Sequence, residues 1–173
     1  MTELERYKYD VLVIGAGGAG LRAAVEAREA GLRVAIICKS LFGKAHTVMA
    51  EGGAAAALGN ADDRDGWKVH FKDTMKGGKY LNNWRMAQIH AQESPDRIRE
   101  LEQWGAVFDR TPSGLINQRN FGGHTYPRLA HVADSTGLEI IRTLQEKGIH
   151  SGIDIFMEYT ASHLLQDDDG TCI

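Results

Sequence analysis

Asp10-Val11-Leu12-Val13-Ile14-Gly15-Ala16-Gly17-Gly18-Ala19-Gly20 decides the fold. Asp10 to Ile14 is a short, mainly apolar run, with polar residues before it and glycine after it. Such a run predicts a strand buried on both faces. The pattern that follows is G-x-G-x-x-G. Its first glycine permits a tight turn, its second lets backbone approach a pyrophosphate, and its third lets a helix pack close to the strand. Leu21 to Ala30 predicts that helix, with Ala23, Ala24 and Ala27 suited to close packing on a sheet. Gly31 predicts its end as a C′ residue. Leu32 to Ile37 is a second apolar, β-branched run. Strand, helix and strand within about 30 residues is the context that makes the glycine pattern a dinucleotide site. The helix N-terminus turns its orphan N–H groups and positive dipole end towards the diphosphate.

The second strand departs from the usual pattern. A carboxylate near its end normally binds the ribose hydroxyls. Here the residues are Ile37-Cys38-Lys39-Ser40, which argues against a generic NAD domain. A thiol is a weak donor, so Ser40 and the backbone are the expected contacts to the adenosine half. A second glycine-bearing segment follows: Gly43-Lys44-Ala45-His46-Thr47-Val48-Met49-Ala50-Glu51-Gly52-Gly53. It sets one histidine between a strand end and a run of small residues.

Composition bounds the rest. The chain has 173 residues, 43% hydrophobic and 25% charged, ordinary for a single globular domain. A net charge of −3 provides no basic stripe and excludes a nucleic-acid surface as the leading reading. No apolar stretch approaches the roughly 18 residues of a membrane span. Met1 to Arg6 lacks the pattern of a signal peptide. Cys38 and Cys172 form no C-x-x-C pair, which favours a reduced compartment. Trp67, Trp84 and Trp104 are expected in the core.

Beyond the glycine-rich loop the pattern turns helical. Asn60 to Gly66 reads as an acidic turn, and Trp67 to Met75 as a helix stopped by Gly77-Gly78. Asn83 to Gln92 predicts another helix. Ser94-Pro95 reads as the N-cap and N1 proline of a separate one, with Ile98, Leu101 and Trp104 on one face. Ala106–Asp109 and Leu115–Gln118 flank Thr111-Pro112-Ser113-Gly114 as a hairpin. Thr136-Gly137 opens a helix to Lys147 with Leu138, Ile141 and Leu144 on one face. Asp154 to Leu165 has a strand pattern, Asp167 to Gly170 a turn, and Thr171-Cys172-Ile173 the start of a return strand.

Over essentially its whole length the chain resembles the flavoprotein subunit of succinate dehydrogenase and fumarate reductase. Gly15 to Gly20, which includes Ala16, Gly17, Gly18 and Ala19, is similar to the FAD diphosphate loop. Lys39 matches the family's Ser-Lys pair, and Cys38 departs from it. Gly43 to Gly53 is similar to the flavin-attachment segment, H-T-x-x-A-[EQ]-G-G. Many members have Arg-Ser where this chain has Lys44-Ala45, and some have glutamine in place of Glu51. Asp73-Thr74 with Gly77-Gly78, Gln118-Arg119-Asn120-Phe121-Gly122-Gly123 and Ala133-Asp134-Ser135-Thr136-Gly137 match further blocks.

The resemblance implies an α/β, Rossmann-like FAD-binding domain with a parallel sheet and helical insertions, of which this chain is the N-terminal half. It implies FAD joined covalently to His46. Gly15 to Gly20, Cys38, Lys39, Ser40, Ala45, Thr47, Ala50, Glu51, Gly52 and Gly53 complete the cofactor set. Gly52 and Phe121 are implied on the succinate or fumarate side. No catalytic residue and no metal ligand falls within the chain. The implied reaction is hydride transfer between succinate and FAD. Electrons would pass to an iron–sulfur subunit, with membrane-anchor subunits engaged indirectly at the cytoplasmic face of the membrane. An L-aspartate oxidase-like enzyme shares most of these blocks but typically has serine at the position of His46. An inactive truncated fragment is the other alternative. The chain stops at Ile173 inside a hairpin, which reads as truncation before the capping and C-terminal helical domains.

The remaining histidines carry weaker expectations. His70, His90, His150 and His163 lack metal-ligand spacing. His124 and His131 lie near Phe121 and are expected to be structural. Gly52-Gly53 before Ala54 to Ala57 also fits a helix N-terminus.

Overall fold

The computed structural model describes residues 5–172. The chain divides into two compact units, Met1–Ala45 with Leu144–Ile173, and His46–Thr143.

The first unit is built on a parallel sheet. β1 (Val11–Ile14) feeds α1 (Gly18–Glu29), which returns to β2 (Val34–Cys38). β6 (Asp154–Met157) lies on the far side of β2, so the order is β1-β2-β6, all parallel. β2 is central, and Val34, Ala35 and Ile36 are each at most 2% exposed. Leu21, Ala24 and Val25 of α1 are fully buried, at i, i+3 and i+4 on the face that meets the sheet. Gly31, at φ +87°, follows the last turn as the sequence predicts.

Burial of β1 on both faces is not what the structure has. Leu12 and Ile14 are 50% and 55% exposed. Alternation sends them to the face opposite α1. Leu12 shares a shallow hollow there with Tyr7, Tyr9, Ile37, Phe156 and Tyr159. The rings of Tyr7 and Tyr159 lie 5.0 and 5.5 Å from that of Phe156. A run of aliphatic residues cannot itself distinguish one covered face from two. β6 also ends well before Leu165, because Glu158 adopts φ +63° and turns the chain away. The last turn is as read: Gln166 bridges Cys172, and Asp167 Oδ1 accepts from Asp169 N and Thr171 N. Ile173 lies outside the described residues.

The second unit carries a small antiparallel sheet. β3 (Ala54–Ala55) and β4 (Gln118–Arg119) flank β5 (Leu129–Ala130). Ala56, Ile98, Ala106, Phe108, Ile116 and Ala130 form its buried cluster. α2 (Trp67–Gly77) and α3 (Trp84–Gln103) pack together beside it. α4 (Thr136–His150) begins in this unit and ends in the first.

Several expectations change here. Ala54 and Ala55 form a strand, so Gly52-Gly53 opens no helix. α3 runs unbroken through Pro95, and Ser94 is a buried interior residue whose hydroxyl has no partner among the described residues, not an N-cap. Ala87, Ala91, Ser94 and Ile98 share one buried face, and burying that face offsets the hydrogen bond that Pro95 removes. The true cap is Asn83, whose side chain accepts from Arg85 N and Met86 N. The hairpin forms around its turn: Arg110 bridges Ile116, Thr111 N donates to Leu115 O at 2.8 Å and Asn117 N to Asp109 O at 2.7 Å, while Gln118–Arg119 goes on to pair with β5. Trp84 is 55% exposed and Leu138 54%, so neither is core.

Candidate functional site

The glycine turn of the first unit suits a diphosphate on three counts. Gly15 sits at φ +111°, a conformation that L side chains rarely adopt. A Cβ on Gly20 would lie 2.0 Å from Gly15 O, so the third glycine is what lets α1 meet β1. α1 starts after Gly17 with no side-chain cap and no acidic residue in its first turn. Its dipole end is therefore left for an anion. Ala16 is buried under the turn, while Gly17 and Gly18 are partly exposed and Ala19 is exposed.

At the end of β2 the Cys38 thiol is 5% exposed and turned to Phe156 O at 3.6 Å, and burial raises its pKa. Lys39 and Ser40 are exposed. The chain after β6 lies against them: Glu158 N donates to Ser40 O at 3.4 Å and Tyr159 N to Cys38 O at 3.1 Å. The sequence reading assigned nothing to Glu158 or Tyr159. The available signal is that parallel strands deliver their carboxyl ends to one side of a sheet, where ligands bind.

The Gly43 to Gly53 segment is divided. Ala45 ends the first unit, and His46 begins a 3₁₀ turn, His46–Met49, in the second. The His46 imidazole is exposed. The turn has a specific brace. Gly137 N donates to Ala50 O at 2.7 Å, and a Cβ on Gly137 would lie 2.0 Å from Thr47 O. Glycine in the Ala133 to Gly137 block is thus a packing requirement for the histidine turn. In the same block the Thr136 hydroxyl accepts from Val132 N.

The next stretch brings Gly52 and Phe121 together. A Cβ on Gly52 would stand 3.6 Å from the Phe121 ring, which is itself 58% exposed. Arg119 of β4 holds this stretch from behind. Its Nε donates to Gly52 O at 2.7 Å, its Nη2 to Glu51 O at 2.5 Å, and its Nη1 to Asp134 at 3.2 Å. Gly15 to Ser40 with Ala45 therefore sit in one unit, and His46 to Gly53 with Phe121 in the other.

The second unit also holds a buried polar cluster that the sequence reading did not see. Arg128 is fully buried and pairs with Asp65 at 2.8 Å and Asp73 at 3.0 Å. Asp73 also accepts from Thr125 N and Oγ1. His70, 1% exposed, has its ring 5.1 Å from that of His90 and 6.2 Å from that of His124. Among the described residues no group of three His, Cys, Asp or Glu is arranged to hold a metal. Burial, with the Arg128 charge beside it, pushes the His70 pKa down from 6.5 to about 4.

A stability prediction follows from His70. The unfolded chain takes up a proton near 6.5 and the folded protein only near 4. Stability is therefore complete above about pH 6.5 and declines as pH falls towards about 4. The loss over that window is on the order of 3 kcal/mol. Urea midpoints measured across it check this. A midpoint that stays flat in acid for wild type, or declines equally in His70→Leu, would remove His70 from the account.

Residues 10–173 match the family model described as FAD binding domain. In the apo Sdh1 complex of Mycobacterium smegmatis one chain is 65% identical, with a TM-score of 0.91, over 95% of this chain and 30% of that one. A subunit of the fumarate reductase (CoM/CoB) of Methanothermobacter marburgensis is 47% identical over 96% of this chain and 30% of its own length. The mitochondrial succinate dehydrogenase flavoprotein subunit of Oryza sativa subsp. japonica is 41% identical over 96% and 28%. The chain belongs to the FAD binding domain family, among the succinate dehydrogenase and fumarate reductase flavoproteins. It spans under a third of the length of these relatives. No described helix is long and apolar enough to cross a membrane.

Proposed function

We propose that this chain is the FAD-binding portion of a flavoprotein subunit that interconverts succinate and fumarate. The observation that carries the reading is His46, exposed at the head of a turn braced by Gly137 and followed by the Glu51–Gly53 stretch against Phe121. The diphosphate is assigned to Gly15 to Gly20 and the N-terminus of α1, and the adenosine half to Cys38, Lys39 and Ser40. The flavin is assigned to Ala45, His46, Thr47, Ala50, Glu51, Gly52 and Gly53, with a covalent bond from a His46 ring nitrogen. Bound FAD supplies the hydride acceptor, and an electron-withdrawing link raises its potential, which suits so poor a reductant as succinate.

The chain's own residues bind and orient. Gly52 and Phe121 wall the dicarboxylate side, where glycine admits close backbone approach and the ring excludes water. The group that removes the second hydrogen as a proton lies outside these residues. The same reading has electrons leave to an iron–sulfur subunit, with anchor subunits reached through it at the cytoplasmic face of the membrane.

Anaerobic titration of the FAD-loaded flavoprotein carrying this sequence tests the proposal. Succinate is expected to bleach the flavin absorption and L-aspartate to leave it unchanged. Bleaching by aspartate and not by succinate would assign the site to amino-acid oxidation.

A further inference from the structure

Arg119 makes two backbone contacts with one guanidinium, to the carbonyls of Glu51 and Gly52, and Asp134 fixes its third edge. No described peptide bond is cis. In a trans peptide the carbonyl and the following N–H point in opposite directions. With both carbonyls turned to Arg119, the N–H groups of Gly52 and Gly53 face away from it. Neither donates to an acceptor among the described residues. Gly53 packs so closely on β5 that only glycine fits there. It sits at φ +120°, and a Cβ there would come 2.9 Å from Ala130 O and 3.0 Å from the Leu129 side chain. The stretch is thus clamped between Arg119 and β5, with two free donors side by side next to Phe121. Arginine suits this task because its planar fork reaches two acceptors and never loses its charge.

We propose that Arg119 is a positioning residue: by holding the carbonyls of Glu51 and Gly52, it presents the amides of Gly52 and Gly53 as a donor pair to one carboxylate of a dicarboxylate ligand. Asp134 is the outer support that fixes the guanidinium. The inference rests on the reading of this stretch as the dicarboxylate side of a flavin site. It extends that reading to how the backbone is aimed, with a side chain that does not touch the ligand.

The test uses malonate, a dicarboxylate that cannot be dehydrogenated, titrated into the FAD-loaded flavoprotein carrying this sequence. Binding is read from the change in flavin absorption. Arg119→Gln is expected to weaken malonate about tenfold in the flavin-loaded protein, the scale of one charge-assisted hydrogen bond. Arg119→Lys is expected to fall between, since an ammonium lacks the fork. Guanidinium ion at non-denaturing concentration is expected to restore malonate affinity to Arg119→Ala. Wild-type affinity in Arg119→Gln overturns the proposal. So do equal losses in the Gln and Lys variants without guanidinium rescue, which mark a packing role. A shifted flavin potential with malonate affinity retained also overturns it, because the amides then serve a flavin oxygen. If wild type itself shows no response to malonate, the dicarboxylate reading falls and this inference with it.

Discussion

Gly20→Ala is expected to abolish flavin binding. The new Cβ would lie 2.0 Å from Gly15 O, 3.2 Å from Gly15 C and 3.3 Å from Val13 Cγ1. Two of these three atoms belong to backbone, and real Cβ atoms essentially never come within 3.0 Å of a neighbour. The strain cannot be relieved by rotating a side chain, so α1 must draw back from the turn. That shift moves the helix N-terminus, to which the proposed function assigns the diphosphate, and an overpacked site of this kind costs about 1–3 kcal/mol or more. Gly77→Ala is the matched control: nothing lies within 4 Å of its Cβ position, and alanine favours a helix over glycine. The flavin content of the purified protein decides between them. Wild-type flavin in Gly20→Ala would show that the turn is not the diphosphate site.

The second large effect is expected at Arg128. Its guanidinium is fully buried, Asp65 is 0% exposed at its side chain and Asp73 9%. Removing one partner from a buried ion pair costs about 3–5 kcal/mol, because the charge left behind has no water to solvate it. Here two carboxylates are left. Burial already raises the pKa of Asp65 against the opposing pull of Arg128, so the site depends on that charge. Arg128→Ala is expected to lower the urea unfolding free energy by about that amount. Arg128→Met combined with Asp65→Asn and Asp73→Asn is expected to recover most of it, since the cost belongs to unpaired charge and not to lost volume. A loss under about 1 kcal/mol in Arg128→Ala would contradict the buried triad.

What is legible in the sequence follows from range. The turn from β1 to α1 can be read because each glycine answers a local demand, and the Gly20–Gly15 approach spans only one turn of chain. The end of α1 at Gly31 and the helical spans of α2 and α4 are legible for the same reason. The Arg128–Asp65–Asp73 cluster is not, because its members come from separate segments and no spacing rule joins them. Arg119 lies within a quoted block, yet its bond to the Glu51–Gly52 backbone depends on the pairing of β4 with β5, which no local pattern specifies. Pro95 misleads in the other direction. Its local signal is a helix start, and the apolar face of Ala87, Ala91, Ser94 and Ile98 overrides it. At the flavin segment the histidine and its neighbours are legible as a motif. Why the motif needs Gly137 emerges only where that residue meets Thr47 and Ala50.

The central claim is that this sequence builds a flavin site with His46 as its point of attachment. The most direct measurement is flavin fluorescence of the denatured protein in an acid-treated SDS gel. The samples are the flavoprotein carrying this sequence and its His46→Ser variant, each assembled with the iron–sulfur subunit of the proposed function. The account predicts a fluorescent band in wild type at the mass of the flavoprotein. It predicts none in His46→Ser, which still releases FAD on denaturation. An assembled, FAD-containing wild-type protein without that band would contradict it.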